Sequence, residues 1–205
     1  MSDFSGDDDL NIDVLPSVEA IRRRPRMYIG ADNADATDLV FEAMCLALAE
    51  AACGSVSAIS VLVEGLHIRI TDDGNGISLE PDKQGVPFAQ RAMTEIGACR
   101  DHKEHVRLKQ ELCEFGLVVV NALSSAASVT SGDGKTQQRQ TYTAGVANGP
   151  FGETGTGPQR GTVLEFHLDP RFIGQQFDET KLWTLVDELP IDLQNLSLTV
   201  DHSVH

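Results

Sequence analysis

The run Asp72-Asp73-Gly74-Asn75-Gly76-Ile77 directly follows an apolar, β-branched stretch, His67-Ile68-Arg69-Ile70-Thr71. A carboxylate at the end of a strand can accept a hydrogen bond from the exocyclic amine of a nucleobase. Gly74 and Gly76 allow φ > 0 and close approach of a ligand to the backbone. The same spacing also suits a plain β-turn, so the run alone leaves both readings open. A second carboxylate of interest is Glu42. Between Leu39 and Cys53 the charged residues are Glu42 and Glu50. A helix that is apolar nearly all round is a buried one, so Glu42 is either buried with a partner or facing a cavity.

The elements around these residues can be read from propensity and punctuation. Thr37 to Cys53 predicts the best helix of the chain, capped by Thr37 or Asp35 and stopped by Gly54. Pro16 to Ile21 predicts a short helix that Pro25 ends, with Met27-Tyr28-Ile29-Gly30 following as a loop. Ala58–Val63 and His67–Thr71 predict strands joined as a hairpin by Glu64-Gly65-Leu66. Phe88 to Cys99 reads as a helix, Asp101 to Gln110 as a mobile loop or frayed helix, and Leu117 to Leu123 as a third helix. Ala127–Thr130, Gln138–Ala144 and Thr162–Leu168 read as strands, with Gly145 to Gly161 as a loop. Phe177–Leu189 predicts a last helix around Trp183, and Leu196–Val200 a last strand. This order lacks a regular βαβα alternation. It predicts an α/β two-layer sandwich, a mixed and largely antiparallel sheet with helices on one face. Residues 1–13 are acidic, polar and expected to be disordered, and residues 14–205 are expected to form a single domain.

Composition limits the function classes. The formal net charge is −15, from 31 acidic against 16 basic side chains. Such a surface repels phosphate backbones, and no direct DNA binding is expected. Arg22, Arg23, Arg24 and Arg26 form the one local basic cluster, either a nucleic-acid patch or a solvated turn after a helix. No stretch reaches about 18 uninterrupted apolar residues, the length needed to span a membrane. The start has neither the basic region nor the apolar run of a secretion signal. Cys45, Cys53, Cys99 and Cys113 form no CxxC pair, and no Cys/His cluster has metal-ligand spacing. Reduced thiols in a cytoplasmic protein follow from this pattern.

Ile21-Arg22-Arg23-Arg24-Pro25-Arg26-Met27-Tyr28-Ile29-Gly30 closely resembles the R-x-R-P-x-M-Y-I-G signature of a known family. That family is the GHKL, or Bergerat-fold, ATPase domain of the type IIA topoisomerases gyrase B and topoisomerase IV B. Val40-Phe41-Glu42 resembles the start of the family's helix bearing the catalytic Glu. The Asp72 to Ile77 run resembles its adenine-contacting loop, and Val119-Val120-Asn121-Ala122-Leu123-Ser124 the helix after its ATP lid. Arg139-Gln140-x-Tyr142 and Gly161-Thr162-Val163 resemble later strands. The segments occur in family order over roughly residues 10–200. The resemblance implies a Bergerat sandwich with ATP between sheet and helices, and Glu42 as general base for the attacking water. It implies Asp72 on the adenine amine, Thr162 nearby through its hydroxyl, Ile77 lining the adenine pocket, and Gly74, Gly76 and Gly116 at the nucleotide. Without the resemblance, Ile77 and Thr162 read as ordinary core and strand positions.

The chain departs from the family pattern where phosphates and metal are handled. Leu46 stands where the family has its metal-binding Asn, and a Leu offers no hard oxygen to Mg²⁺. Ala49 stands where the family usually has Asp. Glu50 remains, while its usual Arg partner is Asn75. The family's G-x-H-G-x-G lid turn corresponds to Glu111-Leu112-Cys113-Glu114-Phe115-Gly116, in which only the last Gly remains. Charge-assisted hydrogen bonds contribute about 1.5–3 kcal/mol each. Losing three or four of them weakens triphosphate binding by about 5 kcal/mol, or roughly four decades. The expectation is a degenerate gyrase-B-like domain that holds ATP weakly, lacks a Mg²⁺ ligand and hydrolyses ATP weakly or not at all. A working ATPase domain and a stand-alone interaction homologue are the rival readings. Expected ligands and partners are an adenine nucleotide or pocket-directed inhibitor, topoisomerase subunits, or a second copy of the chain. The family's transducer domain and DNA-cleavage domain are not expected within these 205 residues.

Overall fold

The computed structural model describes residues 15–29, 35–99, 116–154, 160–174 and 176–203. Its longest helix, α3 (Ala36–Ala52), begins at Asp35. The Asp35 carboxylate accepts from the amides of Thr37 (2.9 Å) and Asp38 (3.3 Å), and Asp38 returns the bond to the Asp35 amide (3.2 Å). This reciprocal box satisfies orphan donors that an uncapped first turn would leave open. Lys181 ties it to a later helix, with its ammonium 2.8 Å from Asp38 and 3.3 Å from Asp35. Cys53 closes α3, and Gly54 follows at φ +76°. Asp35, of the two candidates, is therefore the cap. Thr37 is fully buried inside the helix, and its hydroxyl accepts from the Asp178 amide.

The other helices among the described residues are short: α1 (Ser17–Arg23), α2 (Arg26–Ile29), α4 (Phe88–Thr94), α5 (Leu117–Ala122) and α6 (Glu179–Asp187). The strands are β1 (Ala58–Glu64), β2 (His67–Asp72), β3 (Ser124–Asp133), β4 (Gln137–Thr143), β5 (Val146–Ala147), β6 (Gly152–Glu153), β7 (Arg160–Leu168) and β8 (Ser197–Ser203). They form one eight-stranded sheet in the order β5-β4-β3-β7-β2-β1-β8, with β6 beside β4. The β1/β8 pair is parallel and the others are antiparallel.

Alternation assigns the sheet its two faces. Ile59, Val61 and Val63 of β1, Ile68 and Ile70 of β2, and Leu164 and Phe166 of β7 are buried. They share one apolar cluster with Leu39, Ala43 and Met44 of α3 and Val118 to Val120 of α5. The other face is polar: the Glu165 carboxylate lies 3.2 Å from Arg69 and 2.8 Å from Arg139, and bonds the Ser128 hydroxyl. One face covered by helices and one face solvated is the expected two-layer sandwich.

Several element boundaries differ from expectation. Met27 to Ile29 is helical rather than a loop, because the Pro25 carbonyl accepts from the amides of Tyr28 (2.9 Å) and Ile29 (3.1 Å). Proline lacks an N–H and so ends one helix while fitting the first turn of the next. Helix α4 stops at Thr94, not Cys99, since Glu95 turns extended (φ −124°, ψ 127°) and Gly97 follows at φ +81°. Strand β3 is longer than Ala127–Thr130 because it pairs along both edges, with β4 and β7. The Gly145–Gly161 stretch, expected to be a loop, carries the short strands β5 and β6 and the start of β7. The expectations for residues 1–13, for Asp101–Gln110 and for the lid residues Glu111 to Phe115 fall outside the described residues.

Candidate functional site

A cleft of about 210 Å³ opens between α3 and the ends of β2 and β7. Leu46, Ala47 and Glu50 line it from α3, and Ile70 and Asp72 from β2. The turn after β2 adds Asn75, Gly76, Ile77 and Ser78, and β7 adds Thr162 and Leu164. Ser55, Val56 and Phe88 complete the wall. Asp72, Gly76, Ile77, Thr162 and Leu46, singled out from the sequence, thus meet in one place. Glu42, Gly74 and Gly116 are not part of this lining.

Asp72 is held by the backbone on both sides. Its Oδ1 accepts from the Gly74 amide (2.9 Å) and the Thr162 amide (3.1 Å). Both bonds fall on one oxygen, so Oδ2 is the oxygen that neither amide engages. Burial pushes the Asp72 carboxyl above its ordinary value. The Gly74 and Thr162 amides and the Thr162 hydroxyl oppose that shift, and the Asp73 charge adds to it weakly. Desolvation favours the neutral acid, and hydrogen bonds to the carboxylate favour the ion. Asp73 points elsewhere: its carboxylate takes the amides of Ser57 (2.8 Å) and Ala58 (2.9 Å) and anchors the start of β1.

The glycines around Asp72 are used for packing within the chain. Gly76 has φ +79°, and a Cβ there would lie 2.5 Å from Ser131 Oγ and 2.8 Å from the Gly132 carbonyl oxygen. A Cβ on Gly74 would lie 2.8 Å from the Val56 side chain. Gly161, at φ +106°, is the tightest: a Cβ would come within 1.9 Å of the Asp72 carbonyl oxygen. The expected close approach to these backbones is therefore made by the protein's own atoms. Ile77 is 6% exposed, and its carbonyl accepts from Ser131 Oγ (2.7 Å), which fixes the turn against β3.

Glu42 lies one turn before Leu46 on α3. Its carboxylate accepts from the Gly116 amide at 2.6 Å. Gly116 is the residue before α5 and has φ +81°. The bond satisfies an amide that a helix start otherwise leaves open. Leu46 is 9% exposed and presents an aliphatic wall to the cleft. Asn75 accepts through its side-chain oxygen from the Arg160 guanidinium at the first residue of β7. Among the described residues no group of three His, Cys, Asp or Glu side chains could hold a metal ion. No described helix is long and apolar enough to cross a membrane.

The arginine cluster resolves into structural roles for two members. Arg22 donates to the Ala122 carbonyl at the end of α5 (2.5 Å), lies 3.6 Å from Asp169 and stacks on Phe172. Arg23 pairs with Glu19 one turn earlier. Sequence reasoning missed Ala47, Ser55, Val56, Ser78, Phe88, Ile70 and Leu164 as cleft residues. Small and apolar side chains carry no chemical signal, and only their meeting across α3, β2 and β7 reveals them. Arg160 was also missed, since nothing local in the sequence links it to Asn75.

No protein-family model matches the chain. It is 30% identical over 185 residues to the DNA gyrase B protein of Treponema pallidum, covering 87% of this chain and 29% of that protein. It is 33% identical over 176 residues to the DNA gyrase B protein of Staphylococcus aureus, covering 84% of this chain and 27% of that protein. The chain therefore spans less than a third of the length of these relatives. Across most of its own length, this polypeptide is similar in sequence to part of DNA gyrase B.

Proposed function

We propose that this chain is a gyrase-B-like nucleotide-binding domain of the GHKL class, residues 14–205, acting in the cytoplasm with little or no ATP hydrolysis. The observation that carries the reading is Asp72. It stands in an apolar-walled cleft with Oδ1 held by two amides and Oδ2, which neither amide engages, as the acceptor for an amine. Ile70, Ile77 and Val56 supply flat apolar contact for a base, and Thr162 adds a hydroxyl beside the acid. These residues fit the base end of a nucleotide.

The phosphate end fits poorly. Leu46 offers no oxygen to a metal, and no Lys, Arg or His is among the described lining residues. Glu42, the base expected for an attacking water, holds the Gly116 amide. A general base needs a positioned substrate within hydrogen-bond reach, and a metal-held triphosphate is what these substitutions weaken.

Calorimetric titration with adenine-containing ligands, together with a phosphate-release assay in Mg²⁺, tests the reading. The expected result is binding that Asp72→Ala abolishes, with phosphate release at background. Steady Mg²⁺-dependent release that is lost in Glu42→Ala would refute the loss of turnover. Binding unchanged by Asp72→Ala would refute the site.

A further inference from the structure

A second, open groove of about 640 Å³ lies between the C-terminal end of α6 and the start of β8. It shares no lining residue with the cleft around Asp72. The segment joining α6 to β8 alternates: Leu189, Ile191 and Leu193 are half-buried, while Pro190, Asp192 and Gln194 between them are exposed. With Trp183 of α6 and Leu198 of β8, also half-buried, these residues line the groove. The segment is fixed from within. The Asp192 carboxylate accepts from the Gln194 amide (3.0 Å), and the Leu193 carbonyl from the Leu196 amide (2.9 Å). Charge at this end runs against the helix. The last carbonyls of a helix carry partial negative charge, and a cation in the last turn is their favourable neighbour. Helix α6 has no basic residue there. It ends on Asp187, with Glu188 as its cap, and both are exposed. Asp187 and Asp192 stand on the groove itself. A local rule broken beside a surface groove is unfavourable to the chain alone and favourable to a partner that brings the missing cation.

From this groove of half-buried apolar side chains under an acidic rim, we propose that the α6–β8 face docks a cationic, apolar-anchored segment of a partner protein. Large aliphatic or aromatic side chains enter the groove beside Trp183 and Leu193, and Lys or Arg stands over Asp187 and Asp192. Aromatic and aliphatic anchors carry most of the affinity in contacts of this kind. The charges steer the encounter and reject partners of the wrong sign. A second copy of this chain, at −15, is of the wrong sign as a whole. So are an anionic lipid surface and the chain's own first thirteen residues, which carry five Asp and no Lys or Arg. The docking face stands whether or not the Asp72 cleft takes a nucleotide.

Trp183 is the chain's one tryptophan, so its fluorescence reports on this groove. The probes are two synthetic amphipathic peptides of equal length, one of Leu and Lys, the other of Leu and Glu. Each is titrated into the full chain at low and high salt, followed by Trp183 emission and by calorimetry, with sedimentation of the chain alone alongside. The expected result is a saturable blue shift with the Leu/Lys peptide, none with the Leu/Glu peptide, and affinity that falls as salt rises. Asp187→Asn combined with Asp192→Asn should weaken the Leu/Lys peptide about tenfold, and Leu193→Ser should do so with the rim charges intact. No binding of the Leu/Lys peptide, or an equal response to both peptides, would overturn the proposal. Calorimetric binding that neither variant weakens would assign the peptide to the acidic surface at large and overturn the groove as its site. A dimer of the chain alone that Leu193→Ser abolishes would overturn it in favour of a second copy.

Discussion

Replacing Asp72 with Asn separates what this carboxylate does for the fold from what it does for a ligand. Asn keeps a side-chain oxygen at Oδ1, so the amides of Gly74 (2.9 Å) and Thr162 (3.1 Å) keep an acceptor. Where Asp72 is ionised those bonds are the stronger by about 1 kcal/mol, and where it is protonated they match those of Asn. Against it stands a gain. Burial raises the Asp72 carboxyl, so ionising it in the folded protein is harder than in the unfolded chain. A raised folded value means the contribution of Asp72 to stability is full below the unfolded value, near 3.9. It is lost as pH rises through the folded value. Asn has no such dependence. The variant should therefore melt close to the parent at acidic pH, where both side chains are neutral, and at or above it by pH 7, because the raised value already includes what the amides give the carboxylate. A difference of 1 kcal/mol corresponds to about 2–4 °C in a chain of this size. At the ligand, Oδ2 becomes an amide donor facing an amine donor. Loss of one charge-assisted bond, about 1.5–3 kcal/mol, reduces adenosine affinity roughly tenfold to a hundredfold. Melts from pH 3 to pH 7 with parallel titrations measure both effects. A variant that falls further below the parent as pH rises, or adenosine affinity kept in the variant, would refute the reasoning.

Asp169→Asn should cost stability at neutral pH. Hydrogen bonds from Arg171 hold that carboxyl at about 2, so its contribution is present above the unfolded value and fades as pH falls toward 2. Urea unfolding at pH 7 and pH 3 should show the parent's advantage shrinking on acidification. Gly161→Ala should destabilise by about 3 kcal/mol or more, since φ +106° strains any side chain and the new Cβ meets the Asp72 carbonyl. Soluble protein melting within about 2 °C of the parent, read against about 2–4 °C per kcal/mol, would contradict it. Glu42→Ala should cost about 1 kcal/mol through the lost bond to the Gly116 amide, while phosphate release stays at background. Leu46→Asn should leave release at background too, and turnover restored by that change would show that one metal ligand was the whole defect.

Much of the architecture was legible locally. The apolar run from Leu39 to Cys53 and the Asp35 cap are enough to place α3 within a residue at each end. Alternation in Ile59-Ser60-Val61-Leu62-Val63 and in Ile68-Arg69-Ile70 carries both the strands and the face each side chain takes. The hairpin between β1 and β2 forms as expected, although Glu64, expected in the connecting turn, ends β1 opposite His67. Legibility failed where a short-range preference lost to a longer contact. Glu95 leaves the α4 pattern early, and β3 extends past its β-rich centre because β4 and β7 both pair with it.

The cleft divides in the same way. Residue type and spacing mark Asp72 as a carboxylate at a strand end, and the signature around Arg22 to Gly30 identifies what it resembles. These are properties of contiguous residues, which local propensity and composition can encode. Which atoms Asp72 meets was decided by the pairing of β2 with β7, which brings Thr162 and Gly161 to it across 90 residues of chain. That Glu42 holds the Gly116 amide, and that Arg160 reaches Asn75, depends likewise on α3, α5 and β7 closing on one another. The lining's charge balance has the same origin: a sequence displays all its cations at once, and only packing decides which of them stand beside the cleft.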